Sequence, residues 1–274
     1  MALTVEEKAR NFAALHERPG AFVIPNPWDA GSARLLTGLG FEALATSSGA
    51  CAGVLGRRDG RVSRAEAIAH AKAIVDATDL PVAADLENGF GHAPEDAAAT
   101  IRDAGSIGLV GGSIEDCSGD AAKPIYDADH ALRRVEAAVA AARSLPVKFL
   151  LTARAENFIR GNPDLADTIK RLKAYEKAGA DVLFAPGLPD LTAIKEVCAS
   201  LERPFNFMVG IKGRSFTVAD LAAAGVKRIS LATSLYRAAI TGLAEAAREV
   251  KNTGTFGYLD RSIPTPDLNA LLKA

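Results

Sequence analysis

The feature that most constrains the fold is a series of eight short apolar segments, separated by longer alanine-rich segments of helical period. Each short segment is rich in valine, isoleucine, leucine and phenylalanine, and it is continuously apolar rather than alternating with polar residues. Continuous apolarity is typical of strands buried on both faces, as in a parallel sheet. The pattern therefore predicts eight strands, at residues 22–26, 43–47, 82–87, 107–115, 148–154, 181–186, 205–209 and 228–233.

The longer segments carry the residues that start and end helices. One of them begins with Ser63 and has Glu66 three positions later, which is the pattern of a capping box. The segments at 94–104, 165–178 and 218–224 are each followed by a glycine, and the first also opens with proline. Strands and helices that alternate in this way indicate an α/β fold, and eight repeats favour a closed (β/α)8 TIM-type barrel.

Length and charge agree with one domain. The 274 residues are close to the roughly 250 that are typical of such barrels, and no low-complexity linker divides them. The formal charge of −1 comes from interspersed basic and acidic residues, so neither nucleic acid nor a membrane surface is an expected partner. Residues 1–274 are therefore predicted to form one barrel domain, with a tail at 253–274 that packs on the barrel or on a neighbouring subunit.

Cysteine usage and hydropathy predict a cytoplasmic protein. The three cysteines are widely spaced and include no C-x-x-C pair, which argues against a disulfide framework or a structural zinc site. The N-terminal segment is charged where a signal peptide needs an apolar run, and no apolar stretch approaches the ~20 residues that span a bilayer. The glycines at 105–112 lack the spacing of a dinucleotide fingerprint, so no NAD is expected.

Acidic residues follow several of the predicted strands. Asp85 and Glu87 end the third strand as an i, i+2 pair, Glu115 ends the fourth, and Asp59 lies in the loop after the second. Barrel enzymes place their sites at the C-terminal ends of strands, so we expect these carboxylates to converge on one mouth. Because they would repel one another without a cation, and because oxygen ligands suit a hard ion, the sequence predicts a Mg²⁺ site.

A basic residue at the same mouth is predicted to contact substrate. Arg154 ends the fifth strand after a run that reads as a buried strand, so its guanidinium should emerge beside the carboxylates. An arginine there needs an anion, and Glu156 and Glu87 are the expected partners in the absence of substrate. The planar guanidinium also matches the two oxygens of a substrate carboxylate.

Five motifs, in order along the chain, resemble the isocitrate lyase/phosphoenolpyruvate mutase superfamily. They are NPWDAGSARLLTGLGFEALATSSG, LGRRDG, DLENGFG, GSIEDC and TARAENF, and the resemblance covers roughly residues 20 to 250. DLENGFG resembles the superfamily's D-x-D/E-x-G-[FY]-G metal motif. The resemblance implies a Mg²⁺-dependent barrel, usually a dimer of dimers with its eighth helix exchanged between subunits. It also implies action on α-oxo or α-hydroxy carboxylates, with C–C or P–C bond chemistry through an enolate-type species.

The resemblance also implies roles for particular residues. The metal set is Asp85, as the direct ligand, with Glu87 and Glu115, and Asp59 would help to hold metal-bound waters or position its loop. Arg154, Glu115 and Asp59 would form the catalytic set. The predicted substrate-binding residues are Thr46, Ser47 and Ser48, through backbone N–H groups that hold the substrate carboxylate, together with Arg154, Asn206 and Trp28.

Three kinds of residue have open interpretations. Trp28, after the first strand, fits packing as well as ligand contact, and Asn206 fits a hydrogen bond inside the barrel as well as contact with substrate. His92 follows the metal motif and is a weaker candidate for substrate contact. The histidines at 16, 70 and 130 are interpreted as surface residues.

The chain departs from both well-defined subfamilies. Isocitrate and methylisocitrate lyases carry a K-K-C-G-H loop, but here Glu115 is followed by DCSGDAAKPIYD. Cys117 lies too close to the fourth strand to be the acid of that loop and is interpreted as a small residue at the loop base. The E-D-K-x-x-P-K-x-N-S loop of the mutases lacks its first lysine and its asparagine here, so only Lys123 could stand in. Pro186 stands where His or Glu is expected.

The function predicted from these observations is a Mg²⁺-dependent lyase of a small 2-oxo or 2-hydroxy carboxylate, which cleaves a C–C bond or decarboxylates through an enolate. Such chemistry needs chelation of the acid and an electron sink rather than the missing cysteine. One alternative is P–C chemistry on phosphonopyruvate or phosphoenolpyruvate. Another is a barrel that binds 2-oxo acids without turnover. In each case the expected partners are a small acid and further copies of the chain.

Overall fold

The sheet is the scaffold that positions the strand-end residues. The computed structural model describes residues 2–214 and 216–272. All pairings between its strands are parallel, in the order β1-β8-β7-β6-β5-β4-β3-β2. The strands are β1 (Phe22–Ile24), β2 (Leu44–Ala45), β3 (Val82–Asp85), β4 (Gly111–Glu115), β5 (Leu150–Arg154), β6 (Val182–Phe184), β7 (Phe205–Met208) and β8 (Arg228–Ser230).

The two ends of this sheet meet and nearly close it. The backbone N–H of Ala45 donates to the carbonyl of Pro25 at 3.0 Å, which joins β2 to the end of β1. Asn26 completes the junction, because its Nδ2 donates to the Thr46 carbonyl at 2.9 Å and its Oδ1 accepts from the Leu231 N–H at 2.8 Å. The predicted (β/α)8 barrel is confirmed, with one asparagine fastening the seam.

Helices surround the sheet in the order that the sequence predicts. They are α1 (Val5–Glu17), α2 (Ala30–Gly38), α3 (Ser48–Val54), α4 (Arg64–Val75), α5 (Pro94–Ser106), α6 (Ala128–Arg143), α7 (Leu165–Lys177), α8 (Leu191–Ala199), α9 (Val218–Ala223), α10 (Ser234–Thr253) and α11 (Thr265–Leu271). Ser63 caps α4 by accepting from the Glu66 N–H, and the Glu66 carboxylate accepts from the Ser63 N–H, as the capping box predicts. The local signals therefore agree with the fold that the strand pattern requires.

Helix α1 closes the bottom of the barrel. Phe12 is fully buried, and a Cβ added at Gly111 in β4 would lie 2.9 Å from its ring, so only glycine admits this close approach. His16 lies beside it, with ring centroids at 4.8 Å from Phe12 and 5.0 Å from Phe22. The interpretation of His16 as a surface residue is wrong, since it is 6 % exposed. The helix turns its apolar face and this histidine toward the strand starts.

The C-terminal helices differ from the rest. Helix α10 contains no buried residue and exposes Ile240, Leu243 and Val250. Helix α11 packs back on α2, where a Cβ at Gly38 would lie 2.6 Å from the Leu271 carbonyl oxygen. None of the helices in the described part of the chain is both long and apolar enough to cross a membrane.

Candidate active site

The strand ends surround an open cavity of about 1000 Å³. Its wall brings together acids that the sequence places on different strands and loops, as the barrel predicts. The charged residues that line it and matter for chemistry are Asp59, Asp85, Glu87, Glu115, Arg154 and Arg160. A second, narrower cavity of about 80 Å³ continues from this mouth into the barrel interior.

Arg154 is the centre of the ion-pair network at the mouth. Its Nη1 lies 2.9 Å from Asp85 Oδ1, and its Nη2 lies 2.9 Å from Glu115 Oε2. The same Nη2 and the Nε donate to Glu156 Oε1 at 2.9 and 3.1 Å. The expected partner Glu156 is confirmed, but Glu87 is not a partner, and Asp85 and Glu115 take that place. One buried guanidinium thus orients three carboxylates from three consecutive strand ends.

Arg160, which the sequence did not single out, contacts the same acids from the loop after β5. Its Nη2 lies 3.3 Å from Glu115 Oε1, and its Nε lies 3.2 Å from Glu156 Oε2. Two guanidiniums therefore serve three carboxylates. Asp59 and Glu87 add two more carboxylates at the same cavity, and within residues 2–214 and 216–272 neither has a basic side chain at ion-pair distance. Arg61, Arg64 and Asp96 also line this cavity, so with Glu156 the acids outnumber the arginines by six to four. The mouth therefore keeps an excess of negative charge.

Glu87 is the least compensated of these acids. Burial, followed by the charges of Asp85 and Asp59, raises its pKa to about 7. Its φ of 47° lies in the left-handed region, so the backbone has already left the extended conformation at this residue. The i, i+2 argument for Asp85 and Glu87 is therefore wrong, because β3 ends at Asp85 and strand alternation stops there. Both side chains nevertheless reach the outer cavity.

The oxygen-rich mouth fits a hard divalent cation. No group of three or more His, Cys, Asp or Glu residues in the described chain is arranged closely enough to cage a metal by itself. Mg²⁺ does not require such a cage, since it commonly binds one or two carboxylates and keeps several waters. Asp85 and Glu87 supply two carboxylates, Glu87 has no competing hydrogen-bond partner in the described residues, and the cavity leaves space for waters. The donor set is compatible with the predicted ion.

The loop after β2 fastens Asp85. The Ser48 N–H donates to Asp85 Oδ2 at 3.1 Å, and the Asp85 N–H donates to Thr46 Oγ1 at 3.1 Å. The Thr46 N–H belongs to the barrel wall, where it donates to the Ala83 carbonyl. Thr46 and Ser48 were expected to offer their N–H groups to the substrate carboxylate, and in this structure both groups are engaged elsewhere. Ser47 lines both cavities.

Asp59 approaches the site because a glycine faces it. A Cβ added at Gly49 would lie 3.2 Å from Asp59 Oδ2 and 2.8 Å from Thr233 Cγ2. Any larger residue at this position would push the Asp59 loop or Thr233 away. The glycine in the SSGA sequence therefore keeps the acid of the LGRRDG motif at the outer cavity.

The tryptophan and histidine candidates lie in packing and loop positions. The Trp28 ring packs against Tyr236 with centroids 5.6 Å apart, and Trp28 is not among the described residues that line the inner or outer cavity. The His70 ring contacts the Trp28 carbonyl, so it is half-buried rather than a surface residue. His92 Nδ1 lies 2.7 Å from the Tyr126 hydroxyl, outside the mouth. These residues are placed as packing and loop-supporting groups.

Cys117 lies at the base of the loop that follows β4. It pairs with Ile125 through an antiparallel backbone bridge, and its carbonyl accepts from Asn88 Nδ2 at 3.1 Å. The side chain is 7 % exposed, and burial raises the pKa of its thiol. A buried thiol with a raised pKa is a poor proton donor or nucleophile at neutral pH, which agrees with its interpretation as a small residue of the loop base.

The inner cavity contains polar residues that the sequence reasoning largely missed. Asn206 lines it, but its side chain is already engaged, with Nδ2 donating to Ser230 Oγ at 3.0 Å and Oδ1 accepting from Arg228 Nε at 2.8 Å. Arg228 and Thr152 line the same space. An arginine at the start of the apolar run RISLAT was the available signal, because a charge inside a buried strand needs a reason.

The fold and the site together define a class: a parallel (β/α)8 barrel whose third to fifth strands end in an arginine-organised cluster of carboxylates. Comparison with known proteins identifies the family. Residues 12–251 match the family model for phosphoenolpyruvate phosphomutase, and the chain belongs to this family, within the superfamily of the lyases and mutases named below. It is therefore an enzyme of lyase or mutase type.

Individual relatives agree with this assignment. A crystal structure of a Burkholderia cenocepacia J2315 protein, described provisionally as a lyase or mutase, is 49 % identical with a TM-score of 0.96, covering 98 % of this chain and 97 % of that one. The 2,3-dimethylmalate lyase of Eubacterium barkeri is 28 % identical over 91 % of this chain and 89 % of its own. Oxaloacetate acetylhydrolase in complex with oxalate is 25 % identical, with a TM-score of 0.87, covering 97 % of this chain and 93 % of that one.

Proposed function

We propose that the protein is a Mg²⁺-dependent lyase that cleaves a C–C bond of, or decarboxylates, a small 2-oxo or 2-hydroxy dicarboxylic acid. The observation that carries the proposal is the excess of carboxylates at the mouth, where Asp85 and Glu87 face the outer cavity beside Arg154. Two of the similar proteins are named for a dimethylmalate and for oxaloacetate, both four-carbon diacids in their backbone. That chemistry supports the substrate class.

Each group at the mouth would have a separate role in the reaction. Bound Mg²⁺ would supply Lewis-acid polarisation of the substrate's carbonyl or hydroxyl oxygen. Arg154 holds Asp85 and Glu115 in fixed orientations before substrate arrives, so little reorganisation is needed during the reaction. Asp59, which Gly49 admits to the cavity, is positioned to exchange a proton with the substrate oxygen or with water.

The departures from the mutase pattern argue for C–C rather than P–C chemistry. The sixth strand is followed by Pro186, which offers no side-chain donor to a phosphonyl group. At the end of that strand the Phe184 ring stacks on Arg154 with 5.0 Å between the guanidinium carbon and the ring centroid. An apolar ring at this position suits a carbon skeleton better than a phosphonate with a double negative charge.

The proposal is tested with a panel of acids, with and without Mg²⁺, and products are identified by NMR. The panel contains malate, 2-methylmalate, 2,3-dimethylmalate, oxaloacetate and phosphonopyruvate. We expect Mg²⁺-dependent cleavage or decarboxylation of at least one C–C substrate and none in the Asp85→Ala variant. Conversion of phosphonopyruvate alone would replace the proposal with P–C chemistry. Tight binding of every acid without turnover would indicate a binding protein.

We also propose that a second copy of the chain covers α10. Every residue of this helix remains at least partly exposed, and Ile240, Leu243 and Val250 form apolar positions along it. Leu243, 65 % exposed, is a large apolar residue that a single copy leaves in water. Leu243→Glu should lower the mass found by sedimentation, whereas Lys251→Glu on the same helix should not. A wild-type protein that sediments as a monomer would contradict this arrangement.

A further inference from the structure

Arg228 is a buried cation with only neutral partners. Its Nε donates to Asn206 Oδ1 at 2.8 Å, its Nη2 donates to Thr152 Oγ1 at 3.0 Å, and its Nη1 lies 3.5 Å from His16 Nε2. The residue is 6 % exposed and lines the inner cavity. No carboxylate of the described residues lies within ion-pair distance of it.

His16, beneath Arg228, is neutral and offers a hydrogen-bond acceptor, so it does not repel the guanidinium. His16 Nδ1 lies 2.8 Å from the Phe12 carbonyl, so Nδ1 carries the hydrogen and Nε2 is left as an acceptor. Burial and the neighbouring Arg228 lower the pKa of His16 to about 3, which agrees with that neutral form. Burial also lowers the pKa of Arg228, to about 9, and the guanidinium remains protonated at neutral pH.

The two arginines of the inner cavity differ in how their charge is matched. The charged residues that line this space are Asp85, Arg154 and Arg228. Arg154 and Asp85 are paired with each other, and Arg154 has two further carboxylates. Arg228 has none. An anion that enters the barrel therefore meets a neutralised guanidinium at the mouth and an uncompensated one further in.

The inner cavity also has the size and lining for one anionic group. Its volume of about 80 Å³ is several times the roughly 10–15 Å³ that a cavity needs to hold one water, so it has room for a carboxylate. Thr152, Ser230 and Asn206 surround it with hydroxyl and amide groups. Thr152 precedes Arg154 by two positions in β5, so it lies about 6.6 Å deeper at a strand rise of about 3.3 Å per residue. The carboxyl carbons of an extended four-carbon diacid lie about 4 Å apart at roughly 1.5 Å per bond, and a hydrogen bond of about 2.8 Å to the Thr152 hydroxyl spans the remaining depth.

We propose that the inner cavity is a receptor for the second carboxylate of the substrate, with Arg228 as its counter-ion and Thr152 and Ser230 as supporting hydrogen-bond donors. The inference rests on the proposed function, because it assumes that the 2-oxo or 2-hydroxy acid end binds at the Asp85 mouth. It makes Arg228 a specificity-determining residue. Acids with one carboxylate leave the guanidinium unpaired, and diacids pair it, so the barrel selects diacids.

The test compares malate with lactate, which share a 2-hydroxy acid end and differ by one carboxylate. Calorimetry with Mg²⁺ present should show that the wild-type protein binds malate about tenfold to a hundredfold more tightly than lactate, the expected gain from one charged hydrogen-bonded pair. Arg228→Gln should lower malate affinity by a similar factor and leave lactate affinity within about threefold. Arg228→Lys keeps the charge and should retain most of the preference. Arg143→Gln, at an exposed ion pair, serves as the control.

The outcomes separate this inference from the proposed function. A wild-type protein that binds malate no more tightly than lactate would overturn the receptor, whether or not it turns over an acid, and this measurement does not depend on any variant folding. Equal losses for both acids in Arg228→Gln, with a lowered melting temperature, would show that Arg228 is structural and would also overturn it. A clear malate preference without Mg²⁺-dependent turnover would overturn the lyase proposal and leave the receptor supported.

Discussion

At the mouth of the barrel, Arg154 lies among Asp85, Glu115 and Glu156, whereas inside the barrel Arg228 contacts a histidine, a threonine and an asparagine. Both guanidiniums are almost fully buried. The mouth carries more carboxylates than it can neutralise, and the interior carries a cation without a counter-ion. The two regions are therefore complementary to ligands of opposite charge, a metal ion above and an anionic group below.

Because Arg154 is paired with carboxylates and Arg228 is not, the two arginines have different roles in the free protein. Arg154 already has its anions, so its first role is to hold Asp85 and Glu115 in place for the reaction. Arg228 has no anion, and an uncompensated buried charge costs free energy unless a ligand repays it. A molecule that chelates a cation at one end and carries a carboxylate at the other would satisfy both regions at once.

The largest expected effect comes from removing Asp85, the proposed metal ligand at the mouth. Asp85→Ala should lower kcat/KM by about 10³-fold or more, equivalent to about 4 kcal/mol of transition-state stabilisation. Mg²⁺ binding measured by calorimetry should disappear, while circular dichroism remains native, because Arg154 keeps Glu115 and Glu156 as partners. Asp79→Ala removes an exposed acid just before β3 and is the matched control. Unchanged Mg²⁺ affinity in Asp85→Ala would remove the metal site from this mouth.

The next largest effect is on the free energy of unfolding, which should differ between variants of Arg154 and Arg228. Arg154→Met leaves Asp85 without its paired cation and the buried Glu115 and Glu156 with only Arg160, and breaking such a cluster should lower the free energy of unfolding by about 3–5 kcal/mol. Arg228→Met removes a charge that no carboxylate matches, and the loss should stay below about 1.5 kcal/mol. Urea denaturation at pH 7 measures both values. Equal losses would mean that the two guanidiniums are compensated alike, so Arg228 would not be an unmatched charge.

Much of the barrel was predictable because its signals are local and repeated. Eight buried strands, the capping box at Ser63 and the glycines after α7 and α9 follow from neighbouring residues, and the structure confirms them. The predicted end of α5 before Gly105 is wrong, because the helix continues through that glycine to Ser106. Convergence of Asp85, Glu115 and Arg154 followed from the rule that strand ends share one face of the barrel. Position along the chain was sufficient to place these side chains at one mouth.

Partner choice within the site was not predictable from the sequence. Arg154 contacts Asp85 rather than Glu87, and the backbone at Glu87 enters the left-handed region with a φ of 47°, which the residue type does not indicate. The burial of His16 and its contact with Arg228 join residues 212 positions apart, so neither one's local sequence shows the other. Long-range pairing between buried polar groups is decided by tertiary packing, and a single sequence does not encode it in any short pattern.

The third prediction tests the charge of the mouth through pH. Glu87 has a folded pKa of about 7, above its ordinary value of 4.5, so the folded protein holds a proton that the unfolded chain releases between these values. Stability should therefore fall as pH rises from about 4.5 to 7, by no more than about 2 kcal/mol after allowance for partial exposure. Burial also raises the pKa of Glu115, so Glu87→Gln in a chelator should reduce this slope without abolishing it, and added Mg²⁺ should reduce it in the wild type.

A control for this pH series is available on α4. Hydrogen bonds from Ser63, with the charge of Arg57, lower the pKa of Glu66 to about 2, so its contribution is lost only below about pH 4.5. Glu66→Gln should therefore leave the slope between pH 4.5 and 7 unchanged. A slope that is unchanged in Glu87→Gln would mean that another acid, such as Glu115, accounts for the fall in stability between these pH values.

The smallest expected effect is at Cys117, which lines the acidic mouth but takes no part in the ion pairs of Arg154. The backbone of its neighbours Asp116 and Ser118 makes the hydrogen bonds of the bridge to Ile125, and the Cys117 carbonyl accepts from Asn88. A serine preserves that backbone and differs by one atom, so Cys117→Ser should keep kcat/KM within a few-fold of wild type. Cys198→Ser, on α8, reports the background effect of the same exchange. A selective loss of about 10³-fold at Cys117, the scale of a removed acid–base group, would place the proton donor on this loop rather than at Asp59.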